Sequence, residues 1–136
     1  MPSSVSAVAA APSAIAEAHF AAEFTFETDF WDVHDALSKT ADFVLLDVRS
    51  PALFAKGHIR GAINLPHGKI VESKMNEWPK DTLFVTYCAG PHCNGAARAA
   101  LRLAKLVRPV KIMAGGVTGL LDEGFTLEID SDDNSP

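Results

Sequence analysis

The sequence predicts an α/β domain with a parallel sheet. Short apolar segments alternate with helical patterns along most of the chain, as parallel strands demand, because each crossover has to pass over one face of the sheet. Residues 43–48 form a near-continuous apolar run, Phe-Val-Leu-Leu-Asp-Val, suited to a strand buried on both faces. The length, 136 residues, is that of one ordinary domain. A globular chain of this size buries roughly two-thirds of its unfolded surface and needs neither disulfides nor a metal to fold.

Taken in order, residues 1–14 are rich in Ala, Ser, Pro and Val and are expected to fray, while 15–24 can form a short amphipathic helix. A helix then opens at Asp29 as N-cap, with Trp31, Val33, His34 and Leu37 at helical spacing. Strand 43–48 leads into a short helix over 51–56, with Pro51 at its first position. A second strand is expected at 62–65 and a helix at 68–78, stopped by Pro79. Residues 83–87, Leu-Phe-Val-Thr-Tyr, carry the strongest β pattern of the chain. A helix over 94–107 places Ala97, Leu101 and Ala104 on one face. Strand 110–113 ends at Gly115-Gly116, and a last helix over 117–123 is closed by Gly124. The acidic stretch 129–136 is expected to be disordered. The resulting organisation is an N-terminal segment over 1–24, a folded domain over 25–128 and a tail.

The hydrophobic fraction is 48% and the charged fraction 21%, which fits a soluble globular protein. No apolar run approaches the ~20 residues of a membrane span. With two cysteines, and no Lys or Arg before Lys39, a secreted disulfide scaffold and a cationic leader are both unexpected, and a reducing, cytoplasmic setting is expected. The net charge of −5 is unevenly spread. Residues 82–121 lack Asp and Glu but carry Arg98, Arg102, Lys105, Arg108 and Lys111, read most simply as the exposed face of a helix. Nucleic acid is not an expected partner, since the chain is acidic and has no stripe of interleaved basic and aromatic residues.

Chemistry centres on Cys88, which lies at the carboxyl end of the best strand and in a turn running straight into a helix. Ligands of open α/β sheets bind in that crevice. The helix start supplies unpaired N–H groups and a positive dipole end, each favouring an anion by ~0.3–1 kcal/mol. A thiol there is expected to ionise below its ordinary value of ~8.5 and to react as thiolate. The plain alternative is a small buried hydrophobe.

Asp47-Val48-Arg49-Ser50-Pro51, the run Gly57-His58-Ile59-Arg60-Gly61-Ala62-Ile63-Asn64-Leu65-Pro66, the Tyr87-Cys88 pair, and Gly115-Gly116 before a helix ending at Gly124 together resemble the pattern of single-domain rhodanese-like sulfurtransferases. The resemblance runs from about Asp29 to Leu127. It implies a three-layer fold with a central, mostly parallel sheet flanked by helices. It also implies an enzyme in which Cys88 takes a sulfane sulfur from a donor such as thiosulfate, holds it as a persulfide, and passes it to a thiophilic acceptor such as cyanide or a thiol. The partners so implied are a small anionic donor and an acceptor, with a protein acceptor a further candidate, and no cofactor or metal. A persulfide anion needs fixed donors, and N–H groups of Ala89, Gly90, His92, Cys93 and Asn94 can form such a nest, with Gly90 able to take positive φ.

The sequence departs from that pattern at Cys93, a loop position where such sulfurtransferases often carry Arg or another cation. His92 is then the one titratable cation of the loop, and Arg98 the nearest permanent one. Asp47 and Arg49 are read as a buried pair bracing the loop base, and His58 and Asn64 as turn-bracing groups. His67 is a candidate pocket-lining residue. A loop curled around an anion spreads its side chains outward, so Cys93 is expected to be a loop filler that does not pair with Cys88. A metal site from Cys88, His92 and Cys93 is not expected, for lack of further ligands. A phosphatase or arsenate reductase of related fold needs Cys-x₅-Arg, and Asn94 stands at that Arg position. A non-catalytic binding or regulatory module is the remaining alternative, and it is discriminated by assay.

Overall fold

The computed structural model describes residues 1–129. The elements run α1 (Ser13–Phe26), β1 (Glu27–Thr28), α2 (Phe30–Leu37), β2 (Val44–Asp47), α3 (Pro51–Lys56), β3 (Ile63–Asn64), α4 (Glu72–Met75), β4 (Phe84–Tyr87), α5 (Gly95–Lys105), β5 (Val110–Met113) and α6 (Gly116–Asp122), with a 3₁₀ turn at His67–Lys69. The strands form one five-stranded sheet in the order β1-β5-β4-β2-β3. Every strand pair is parallel, so the sheet is parallel throughout its strands and not merely for the most part.

Strand periodicity sorts the core into two layers. Leu46 and Phe84 face one side, where they pack with Leu65, Ile70, Met75, Ala96, Ala99 and Leu103 beneath α5 and α4. Leu45, Val85 and Tyr87 face the other, against Phe30 and Val33 of α2 and Val117 and Leu120 of α6. The continuous apolar run of β2 therefore has a physical origin: both faces are covered.

Local chemistry sets most element ends. Asp29 accepts a hydrogen bond from the Asp32 N–H at the start of α2, and Ser50 does the same for Leu53 ahead of Pro51. Helix α6 ends in a Schellman arrangement, with Phe125 N–H on the Leu120 carbonyl, Gly124 N–H on Leu121, and Gly124 at φ +91°. Helix α5 ends the same way, with Arg108 N–H on Leu103 and Val107 N–H on Ala104, but here Val107 takes φ +60°. A β-branched residue is strained there, and Val107 is 84% exposed, so its side chain contributes little packing. Val107→Gly is expected to stabilise the protein by about 1 kcal/mol, read as a shift in the midpoint of urea unfolding. Unchanged or lowered stability would mean that the left-handed cap is relaxed.

Several expectations are corrected. The helix expected over 68–78 is broken into the 3₁₀ turn and α4, because Val71 is extended between them (φ −132°, ψ 162°). Strand β1 escaped the sequence reading, being two residues whose strand character comes from pairing with β5. Residues 15–24 are helical, yet α1 buries no residue, and Ile15, Phe20 and Phe24 are exposed. The basic stretch is not wholly a solvated face: Arg108 is 5% exposed, and its guanidinium donates to the Met75, Trp78 and Pro79 carbonyls, closing the chain end of α4. Glu128 exchanges both backbone hydrogen bonds with His58, tying the chain back to the domain at that point. The tail reading over 130–136 lies outside the described residues.

Candidate active site

Strand β4 delivers Tyr87 and then Cys88 at its carboxyl end, and the loop 89–94 returns the chain into α5. Beneath the loop, Asp47 is fully enclosed and fully used. Its carboxylate accepts from Arg49 Nε (2.9 Å) and Nη2 (2.6 Å), from the Arg49 N–H (3.0 Å) and from the Tyr87 hydroxyl (2.7 Å). Arg49 Nη2 also donates to the Gly57 carbonyl, and the Ile59 N–H donates to the Tyr87 oxygen. The hydrogen bond to Asp47 raises the Arg49 pKa above its ordinary value against the opposing effect of burial. Burial, then the Asp47 charge, push the Tyr87 phenol well above its own. Asn64 Nδ2 bridges the carbonyls of Asp47 and Arg49. Through Tyr87, this network fixes the strand end that carries Cys88.

Helix α6 holds the loop from the other side. Its N-terminal N–H groups are spent on the loop: Val117 donates to the Cys88 carbonyl (3.0 Å), and Thr118 donates to the Ala89 carbonyl through N–H (2.9 Å) and hydroxyl (3.0 Å). Gly116 makes this approach possible. It sits at φ +56°, and a Cβ there would meet the Cys88 carbonyl oxygen at 2.5 Å and Gly90 N at 2.8 Å. Gly90 does not use the positive φ open to it; its smallness matters because a Cβ would strike Thr118 Oγ1 at 2.5 Å.

The expected separation of the two cysteines is overturned. Cys88 and Cys93 form a disulfide, with Cα atoms 6.5 Å apart. That lies within the range a disulfide can span. Two local features bring the sulfurs together. The Cys93 N–H donates to the Gly90 carbonyl (3.1 Å), folding the loop back on itself instead of spreading it around an anion. Gly95, the first residue of α5, leaves the space the sulfurs occupy: a Cβ there would lie 2.8 Å from Cys88 Sγ and 3.4 Å from Cys93 Sγ. The Gly95 N–H itself points at Cys93 Sγ (3.4 Å). Sequence reasoning missed Gly95, whose signal was its position two residues after the second cysteine at a helix start.

The expected donor nest is thus only partly available, since the Cys93 N–H is engaged within the loop. Arg98 turns along α5 to donate from Nε to Asn94 Oδ1 (3.1 Å). His92 is exposed. His67 is absent from the cavity at Cys88, and its Nδ1 is buried without a hydrogen-bond partner among the described residues. His58 braces its turn, stacking on Phe54 with ring centroids 3.8 Å apart and sharing a hydrogen bond with the Phe54 carbonyl. The cavity beside the disulfide is about 150 Å³, walled by Gly90, Pro91, Ala96, Ala114 and Gly115 around the two cysteines. It suits a few small atoms and falls short of the ~300 Å³ at which organic-ligand pockets begin. Among the described residues, no Lys, Arg or His lines it.

A parallel sheet that presents a cysteine at the end of its central strand, in a loop pinned between two helix starts, defines an α/β domain built around one small cysteine pocket. The chain belongs to the rhodanese-like family: the family's domain pattern matches residues 31–123. It is similar to a protein named sulfurtransferase from Allochromatium vinosum, 39% identical over 62 residues that cover 46% of this chain and 57% of that one. It is also similar to an HTH-type transcriptional regulator of Mycobacterium tuberculosis, 32% identical over 79 residues, 58% of this chain and 34% of that one. The matched region thus spans about half or less of these curated relatives. Among solved structures, a Bacillus halodurans protein superposes with a TM-score of 0.82 at 32% identity, covering 87% of both chains. A thiosulfate sulfurtransferase from Pseudomonas aeruginosa shares the fold at 24% identity and a TM-score of 0.66, covering 82% of this chain and 21% of that one. Among the described residues, no helix is long and apolar enough to cross a membrane.

Proposed function

We propose that the chain is a sulfurtransferase in which the reduced Cys88 thiolate attacks the outer sulfur of a sulfane donor. With thiosulfate, the S–S bond breaks, sulfite leaves with the bonding pair, and Cys88 keeps the sulfur as a persulfide. An acceptor thiolate or cyanide then attacks that outer sulfur, and the Cys88 thiolate leaves. The observation that carries this reading is the placement of Cys88: it ends the central strand, abuts the first turn of α5, and opens on a cavity of the size of a transferred atom and its leaving group. The relative named sulfurtransferase supports the reaction class. Asn94 at the position of the phosphatase arginine speaks against phosphoester chemistry.

The uncharged cavity wall favours a donor of low charge, such as a small-molecule persulfide, over the thiosulfate dianion, which gains most from a fixed cation. With excess cyanide competing for the persulfide and initial rates read on freshly reduced protein freed of thiol, thiocyanate is expected to form from both donors, with the lower KM for the persulfide. Phosphoester hydrolysis is expected to be absent. A KM order reversed in favour of thiosulfate would contradict the donor assignment, and phosphatase activity without thiocyanate would contradict the reaction class.

A further inference from the structure

We infer that Cys93 is a resolving thiol that converts the Cys88 persulfide into free hydrosulfide and a Cys88–Cys93 disulfide. The same pocket would then reduce sulfane sulfur at the expense of an external thiol. The inference rests on the sulfur-transfer reading above and extends it to the fate of the transferred atom. Three observations carry it. Cys93 Sγ is bonded to Cys88 Sγ, which is the inner sulfur of any persulfide formed there, so the loop lets the attacking sulfur reach the atom it has to attack. The Gly95 N–H aimed at Cys93 Sγ favours negative charge on the attacking sulfur. The cavity beside the pair has room for the departing sulfur.

The Cys93 thiolate attacks the inner sulfur of protonated Cys88-S-SH, the new Cys88–Cys93 bond forms, the old S–S bond breaks, and hydrosulfide leaves with its electron pair and the proton it carried. The sulfane sulfur is reduced and the two cysteines are oxidised. Restoring them needs two equivalents of a low-molecular-weight thiol or one of a dithiol. Exposure decides where that reductant enters: Cys88 is 6% exposed, whereas Cys93 lies at the surface. The incoming thiolate therefore attacks Cys93 Sγ, Cys88 leaves as thiolate ready for the next donor, and a second thiol releases the mixed disulfide from Cys93. Per cycle, one sulfane sulfur and two thiols give one hydrosulfide and one disulfide.

The test uses the full chain, reduced, freed of reductant and kept anaerobic, then given sodium thiosulfate in one arm and inorganic polysulfide in the other. Products are read by intact mass and peptide mapping, with sulfite and hydrosulfide measured in the thiosulfate arm. The wild type is expected to lose two hydrogens as the Cys88–Cys93 disulfide and to release one hydrosulfide per chain. Cys93→Ser, with Cys93→Ala in parallel, is expected to stop with one added sulfur atom on the Cys88 peptide and hydrosulfide at the protein-free background. A wild type that holds the added sulfur without forming the disulfide, or variants that release hydrosulfide as the wild type does, would overturn the resolving role and leave sulfur transfer standing. If wild type and variants alike never acquire sulfur in either arm, the sulfur-transfer reading itself fails, and the resolving role with it.

Discussion

Cys88→Ser is expected to reduce thiocyanate formation by at least about a thousandfold, the usual scale for removing a covalent nucleophile. The serine hydroxyl occupies nearly the same volume at the end of β4, but at neutral pH it offers neither a thiolate nor a sulfur able to hold a persulfide. The loss should be one of kcat rather than of binding, because the cavity wall and the loop bonds to α6 involve the Cys88 backbone and its neighbours. Stability has to be compared in reductant. Against the oxidised wild type, the variant also lacks a disulfide closing a loop of six residues, which by chain entropy is worth about 2 kcal/mol. Reduced wild type and variant should unfold at nearly the same urea concentration. Retained turnover in the variant would move the chemistry away from Cys88.

Asp47→Ala is expected to cost about 3–5 kcal/mol, the scale of breaking a buried ion pair by removing one partner. The carboxylate is wholly buried, and its removal leaves the Arg49 guanidinium and the Tyr87 hydroxyl enclosed without their partner. Asp47→Asn is the milder control, since it keeps an acceptor for one donor while giving up the ion pair. Both are read by equilibrium urea denaturation in reductant. A loss below about 1 kcal/mol for the alanine variant would show that water replaces the carboxylate, and that the pair does not fix the strand end under Cys88.

How far the sequence revealed this architecture depended on whether the cause was local. Helix α3 and strand β5 were legible to the residue, because Ser50-Pro51 and Gly115-Gly116 bound them with their own backbone chemistry. Strands β2 and β4 were legible from runs that only a doubly covered parallel sheet explains. Cys88 was legible as a candidate for the same reason, since a buried strand followed by a helix identifies the crevice. What escaped was tertiary. The two-residue β1 exists through its pairing with β5, and Arg108 is buried because three carbonyls at the end of α4 converge on it. The cysteine pairing was misread because an anion nest was assumed to open the loop. In the structure, the turn from Cys93 to Gly90 closes it, and the missing Cβ of Gly95 makes the space.

The central claim is that transferred sulfur resides on Cys88. Rapid-quench labelling tests it most directly: reduced wild-type protein is mixed with thiosulfate or a small-molecule persulfide carrying an isotopically labelled outer sulfur, trapped with an alkylating agent at successive times, and mapped by mass spectrometry. The account predicts that label appears first on the Cys88 peptide as an alkylated persulfide and then declines as label is released and the Cys88–Cys93 disulfide accumulates. Label that appears first on Cys93, or turnover with no labelled Cys88 peptide at any time, would contradict it.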